Sequence, residues 1–286
     1  MAIFGMTISL YETVNPLIAM VDDAQLRQSL TQAFCEATEA VSKIDNFFAL
    51  VPTHRWSKSF LAHFFNSWKA THLKMLAIYG LSCRLQRLAF ANSSSDREQL
   101  FMAGAFNAET SYEDLGLDYG GQTHAQLYHR FAGGFLDDDS WQLEQYCLPK
   151  AREFKQWIYQ NMVVNDIPKG LFTNMFSEIY NHGEYSIALS AFSDLIDRHY
   201  SFSAAEKEQA LTYIHAHVAD ETEVDHFLVV VKALNAYCQG TNTSIDYQQA
   251  QNLFVEYLTR LGGVMVDLTN MMSQENHANE PLICAS

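Results

Sequence analysis

Two stretches of this chain set histidines beside carboxylates at spacings that could hold a metal. In Tyr213-Ile-His215-Ala-His217-Val-Ala-Asp220-Glu221-Thr-Glu223-Val-Asp225-His226, the residues His217, Glu221 and Asp225 follow at intervals of four. On a helix they share one face. Glu223 and His226 form a Glu-x-x-His pair, the spacing that carboxylate-bridged di-iron bundles use. Earlier in the chain, Glu109 and Glu113 stand one turn apart near the end of a predicted helix. After Gly116 and Gly120-Gly121, His124 opens the next one. Imidazoles mixed with carboxylates suit Fe(II) or Mn(II), whereas a structural zinc site would recruit thiolates.

Each stretch alone also has an ordinary reading. The acids between Asp220 and Asp225 are what a solvated helix face looks like, and Glu109 with Glu113 could be two exposed acids. The aromatic run Phe60, Phe64, Phe65 and Trp68 has helical spacing and reads as core. His54, His63 and His72 share no common face. Cys147 has no matching His–Asp arrangement for a nucleophile. Gly120-Gly121 lacks the Lys-Ser of a phosphate loop.

The elements that must position these residues are helices. Apolar residues recur at three and four from Asp22 to Leu50 and again from Ser57 to Phe90, predicting a long helix over each. Asn92 to Asp96 is a break, and a helix from there runs to Glu113. Thr123 caps the helix carrying His124, Leu127 and Phe131. Further helical segments follow Ser140 up to about Met162, and from Leu171 to His199 after Pro168. Ser203-Ala-Ala-Glu206 is a capping box for a helix reaching Tyr237. Tyr247 to Met271 is the last, leaving 1–272 as a single helical domain and 273–286 as a flexible tail.

Composition agrees. Of 286 residues, 48% are hydrophobic, and only 5 prolines and 13 glycines interrupt them, too few for the turns of a sandwich or barrel. The formal charge of −15 repels phosphate backbones, so a nucleic-acid partner is not expected. Five widely spaced cysteines without a CxxC pair fit a reducing compartment. Glu12 and Asn15 interrupt the apolar N-terminal stretch, so neither a signal peptide nor a membrane span is read there. The expectation is a cytoplasmic protein with no membrane partner.

Taken together, Phe60…Phe64-Phe65…Trp68, Glu113 with Gly116, and His124-Ala-Gln-Leu127-Tyr128-His-Arg-Phe131 resemble the haem-oxygenase-like di-iron oxidases and oxygenases. That superfamily includes an alkene-forming fatty-acid decarboxylase and a chlamydial p-aminobenzoate-forming protein. Tyr213 to Glu221 fits its later helix, with Glu221 in place of an aspartate, and the likeness spans roughly residues 40 to 240. The resemblance implies an all-α, haem-oxygenase-like bundle of about seven or more helices. It implies metal ligands at Glu113, His124, Glu184, His217, Glu221 and His226.

Two positions depart from the family pattern. The last ligand should fall at Val224 or Asp225, so His226 reaches the site only if the helix opens or bulges between Glu221 and Asp225. In a second register Glu223 and His226 bind and His217 does not. Glu178 and Glu184 compete for the second glutamate; the pattern around Glu184 favours it, and Glu178 reads as an exposed partner of His182.

The function implied is O2-dependent oxidation by two Fe(II) per chain, with O2 as co-substrate. Its substrate would be a small molecule bearing a carboxylate or amine, such as a fatty acid or amino acid, with Arg55, Arg84, Arg87, Arg130 and Lys169 as carboxylate anchors. The alternatives are a metal-free enzyme of the thiaminase-like or quinone-cofactor-oxidase type, and a non-catalytic helical interaction protein. A homodimer is compatible with all three.

Overall fold

The computed structural model describes residues 8–92, 96–112, 115–116, 121–218 and 222–279, with backbone alone at 222–223 and 276–279. Among these residues there are helices and no strands. In chain order they are α1 (Leu10–Ala19), α2 (Ala24–Glu36), α3 (Thr38–Leu50), α4 (Lys58–His72), α5 (Met75–Ala91) and α6 (Arg97–Glu109). There follow α7 (His124–Gly133), α8 (Pro149–Tyr159), α9 (Ile167–His199), α10 (Ala204–Val218), α11 (Thr222–Thr241) and α12 (Tyr247–Asn279). The all-α expectation holds.

The bundle is organised around α9. This 33-residue helix packs against α1, α3, α5, α10, α11 and α12, and its buried residues run almost without interruption from Gly170 to Ile196. From Gly170 to Asn181 every residue is buried, so the polar residues carried there must find partners inside. Gly183 lets α1 close over it: a Cβ there would stand 2.6 Å from Leu10 Cδ1 and Val14 Cγ1. Trp68, Phe64, Phe65, Phe131 and Phe192 interlock as the aromatic part of the core, with Trp68 and Phe192 stacked at 6.2 Å between ring centroids. The Phe60–Trp68 run is core, as its spacing predicts.

Several boundaries differ from the sequence-based expectation, each for a local reason. A first helix, α1, precedes Asp22; its capping box joins Ser9 Oγ to the Glu12 N–H at 3.2 Å and Glu12 Oε2 to the Ser9 N–H at 2.9 Å. The helix predicted over 22–50 divides at Ala37, where the Thr38 hydroxyl donates to the Cys35 carbonyl at 2.7 Å and competes with the backbone ladder. The helix predicted over 57–90 breaks at Leu73-Lys74. There the Thr71 hydroxyl and the His72 ring both sit 2.8 Å from the Trp68 carbonyl, and the ladder resumes only with α5. That break puts His72 and Lys74 beside the centre of the bundle. The helix expected to end at Glu113 ends at Glu109, followed by Thr110 as its cap. After α8 a π-helical turn spans Gln160–Val164, tied down by the Arg84 guanidinium, which donates to the Met162 carbonyl at 2.8 Å and to that of Asn165. The Ser203–Glu206 box forms as predicted and starts α10, described to Val218; α11 is described from Thr222, and residues 219–221 between them lie outside the described residues. The last helix continues past Met271 to Asn279.

Candidate functional site

Polar side chains converge where α9, α10 and α11 meet the α4–α5 break and the start of α7. Thr123 caps α7 as predicted: its hydroxyl accepts from the Gln126 N–H at 3.2 Å, and this fixes His124 as the first helical residue. In the last turn of α10 as described, His217 faces it, with ring centroids 4.4 Å apart. Tyr185 from α9 stacks flat on the His217 ring at 4.0 Å and 7°, while its hydroxyl meets that of Tyr213 at 2.6 Å. The imidazole of His217 therefore has one orientation. Burial holds its pKa well below the usual histidine value, and the nearby charges of His124, His72, His226 and Lys74 push it the same way. It is a neutral imidazole, able to accept a proton or bind a metal.

Both glutamates of α9 are buried in this cluster, so the choice between Glu178 and Glu184 was falsely posed. They lie six residues apart and leave the helix in different directions, but both directions point into protein because α9 is surrounded. Glu184 stands with Oε2 2.6 Å from His72 Nε2. Since His72 Nδ1 is engaged with the Trp68 carbonyl at 2.8 Å, a proton shared with Glu184 must sit on the Nε2 side. Tyr180 lies close by; burial and then the Glu184 carboxylate raise its phenol pKa well above normal, which keeps it protonated. Glu178 is not the exposed partner of His182 that the sequence suggested. Its carboxylate faces Lys74 Nζ at 3.6 Å and His226 Nδ1 at 3.8 Å, and accepts from the Ser177 hydroxyl at 3.3 Å.

His72, Lys74, His124, Glu178, His217 and His226 line one small cavity of about 20 Å³. Of the expected ligands, His124, His217 and His226 line this cavity, and Glu184 adjoins it through its contact with His72. Glu113 and Glu221 lie outside the described residues. Among the described residues no three His, Cys, Asp or Glu side chains form a ligand cluster. Asp225 is exposed and points away, which leaves His226 as the residue of that pair in the centre. Glu109 is exposed.

His72 and Lys74 were missed by sequence reasoning. Their placement depends on a helix break whose only local sign is Thr71 beside His72, both able to bond to the carbonyl of Trp68. Conversely, the arginines and lysine expected to anchor a carboxylate are engaged elsewhere. Arg84 holds the π-turn, Arg130 donates to Gln122 at 2.8 Å, Lys169 pairs with Asp166 at 3.5 Å, and Arg55 lies over the Tyr200 ring. Arg87 is exposed.

No family model and no curated protein matches the chain. Among solved structures it is similar to a TenA homolog from Pseudomonas syringae pv. tomato. The match has 11% sequence identity and a TM-score of 0.58, and covers 86% of this chain and 93% of that one. The likeness shows the fold: an all-α bundle similar to that of the TenA homolog. No helix among the described residues is long and apolar enough to cross a membrane.

Proposed function

We propose that the chain is an O2-dependent oxidase or oxygenase whose reactive centre is the buried cluster around Glu184, His124, His217 and His226, completed by Glu113 and Glu221 and loaded with two Fe(II). The observation that carries this reading is Glu184. It is fully buried at the middle of the central helix, and its carboxylate has only the oblique contact to His72 and the neighbouring Tyr180 phenol to offset that burial. A buried carboxylate in that condition is costly unless a cation shares the site. The surrounding donors are imidazoles and carboxylates, which suit ferrous iron.

Bound iron would supply the activation of O2. The chain's own residues do the rest. His217, kept neutral by burial and aligned by Tyr185, presents a lone pair without first having to lose a proton. The aromatic wall of Trp68, Tyr128, Phe131 and Tyr213 excludes water from one side of the centre. His72 Nε2, 2.6 Å from Glu184 Oε2, fixes where that carboxylate lies.

The same contact favours a second reading, a metal-free enzyme of the thiaminase-like kind. Each buried glutamate already has a basic side chain beside it, His72 Nε2 2.6 Å from Glu184 and Lys74 Nζ 3.6 Å from Glu178. Anaerobic Fe(II) titration followed by exposure to O2 separates the two. Retention of about two iron ions per chain with a transient visible absorption supports the oxidase. No retained iron and no absorption would leave the metal-free reading standing.

A further inference from the structure

Beside the reactive cluster lies a second, larger pocket of about 290 Å³, bounded by the end of α4, the start of α5, the first turn of α7 and the last turns of α8. It shares Leu73, Lys74 and His124 with the small cavity, so its inner wall is the cluster itself. Its body is apolar, formed by Met75, Leu76, Ile158 and Tyr159 among others. The charged residues facing it, apart from the imidazole of His124, are two lysines: Lys74 inside and Lys155 at the exposed rim. No acid lines it.

On a chain with 33 acids and 18 bases, an opening whose described charged lining is two lysines is a local inversion of the overall field. It continues outward. Lys69, Arg152 and Lys155 line the adjoining hollow, with Glu144 3.6 Å from Arg152 as the acid there. Burial, and then the charge of Lys155, lowers the pKa of Lys69, which places those two ammonium groups close together. At the inner end, the Lys74 side chain is only 8% exposed. Its separation from Glu178, 3.6 Å, is longer than the ~2.8 Å of a formed charge-assisted hydrogen bond. The Asn181 amide oxygen accepts from it at 3.2 Å in the orientation that also satisfies Ser177. An ammonium has three donors, so capacity remains for an oxygen arriving through the pocket.

We propose that this pocket binds the substrate, and that the substrate is an amphipathic monoanion: its acidic head is held at Lys74, beside His124, and its apolar body lies along Met75, Leu76, Ile158 and Tyr159. The assignment of this ligand as substrate rests on the reading of the cluster as the reactive centre; the binding site does not. The volume of about 290 Å³ lies near the lower end of the ~300–1,000 Å³ range of small-molecule sites. An eight-carbon carboxylate is a suitable probe. A substrate entering as an ammonium is disfavoured, because it would meet Lys155 and Lys74 in turn. The outer lysines raise the encounter rate of an anion, and the inner one selects its head group.

Calorimetric titration of the full chain, prepared without metal and without O2, tests this with four probes: octanoate, octanol, octylammonium and acetate. Octanoate should bind at least about tenfold more tightly than octanol or octylammonium, and acetate, lacking the apolar body, should not bind. Lys74→Met should remove the preference for octanoate over octanol. Lys155→Glu, on the exposed rim, should weaken octanoate binding and flatten its dependence on salt, with circular dichroism unchanged. Equal binding of octanoate and octanol, tight binding of acetate, or an unaltered octanoate affinity in Lys155→Glu each overturns the proposal, and the last does so even if Lys74→Met fails to fold. Because no metal is present, failure here leaves the iron titration untouched. Success here together with failure to retain iron would keep the pocket and discard the oxidase.

Discussion

His72 Nε2 and Glu184 Oε2 approach to 2.6 Å, with both side chains almost completely shielded from solvent. One comes from the last residue of α4 and the other from the middle of α9, so the contact ties the helix break to the central helix. Removing one partner leaves the other buried without compensation. Glu184→Ala and His72→Ala should each cost about 3–5 kcal/mol of unfolding free energy. The double variant should cost clearly less than the sum, since it leaves no orphan. Urea unfolding of the four proteins measures this, and strict additivity would mean the two groups are not coupled.

The placement of the candidate ligands makes a sharper statement about iron. His124→Ala and His226→Ala should each lower the Fe(II) retained, because both side chains line the central cavity. Glu109→Ala and Asp225→Ala should retain it, because both are exposed. Metal analysis after anaerobic loading and desalting gives the comparison. Loss of iron in Asp225→Ala with retention in His226→Ala would reverse the assignment between these neighbours.

Gly183 precedes Glu184 and faces α1. In Gly183→Ala the new methyl would have to displace Leu10 and Val14, both fully buried. Overpacking of this kind costs about 1–3 kcal/mol, more than the helix-propensity gain of about 1 kcal/mol that alanine brings. The melting temperature should fall. A rise would mean that α1 yields easily, and that it does little to hold Glu184 in position.

Asp45 carries the pH prediction. Its Oδ1 accepts from the Leu10 N–H at 2.8 Å, but burial outweighs that bond and raises its pKa from the ordinary 3.8; Glu12 adds to the rise. The folded protein therefore keeps this proton at pH values where the unfolded chain has lost it. The stability associated with the proton is present below the unfolded pKa and is lost as pH rises through the folded one. Asp45→Asn retains an acceptor for Leu10 and has nothing to ionise. Relative to the native chain it should gain stability from pH 4 to pH 7, as read by urea unfolding at both values. A difference independent of pH would place Asp45 in water.

The helical class, the aromatic core and the caps at Thr123 and Ser203 were legible in the sequence, because each rests on interactions within a turn or two of chain. His124, His217 and His226 were legible for the same reason: their spacing to neighbours is a local property, and α-helical geometry converts it into direction. Glu178 was misread because a helical pattern gives the angle between side chains but not what stands in each direction, and only packing on every side of α9 buries both of its glutamates. His72 and Lys74 owe their role to a break between α4 and α5 that propensity does not announce, and to the neighbouring helices that close around it. Sequence by itself determined which residues could do chemistry and which helices carry them. Tertiary structure decided which of them meet, because long-range packing sets the partners of a buried polar group and its cost when unpaired makes those partners obligatory.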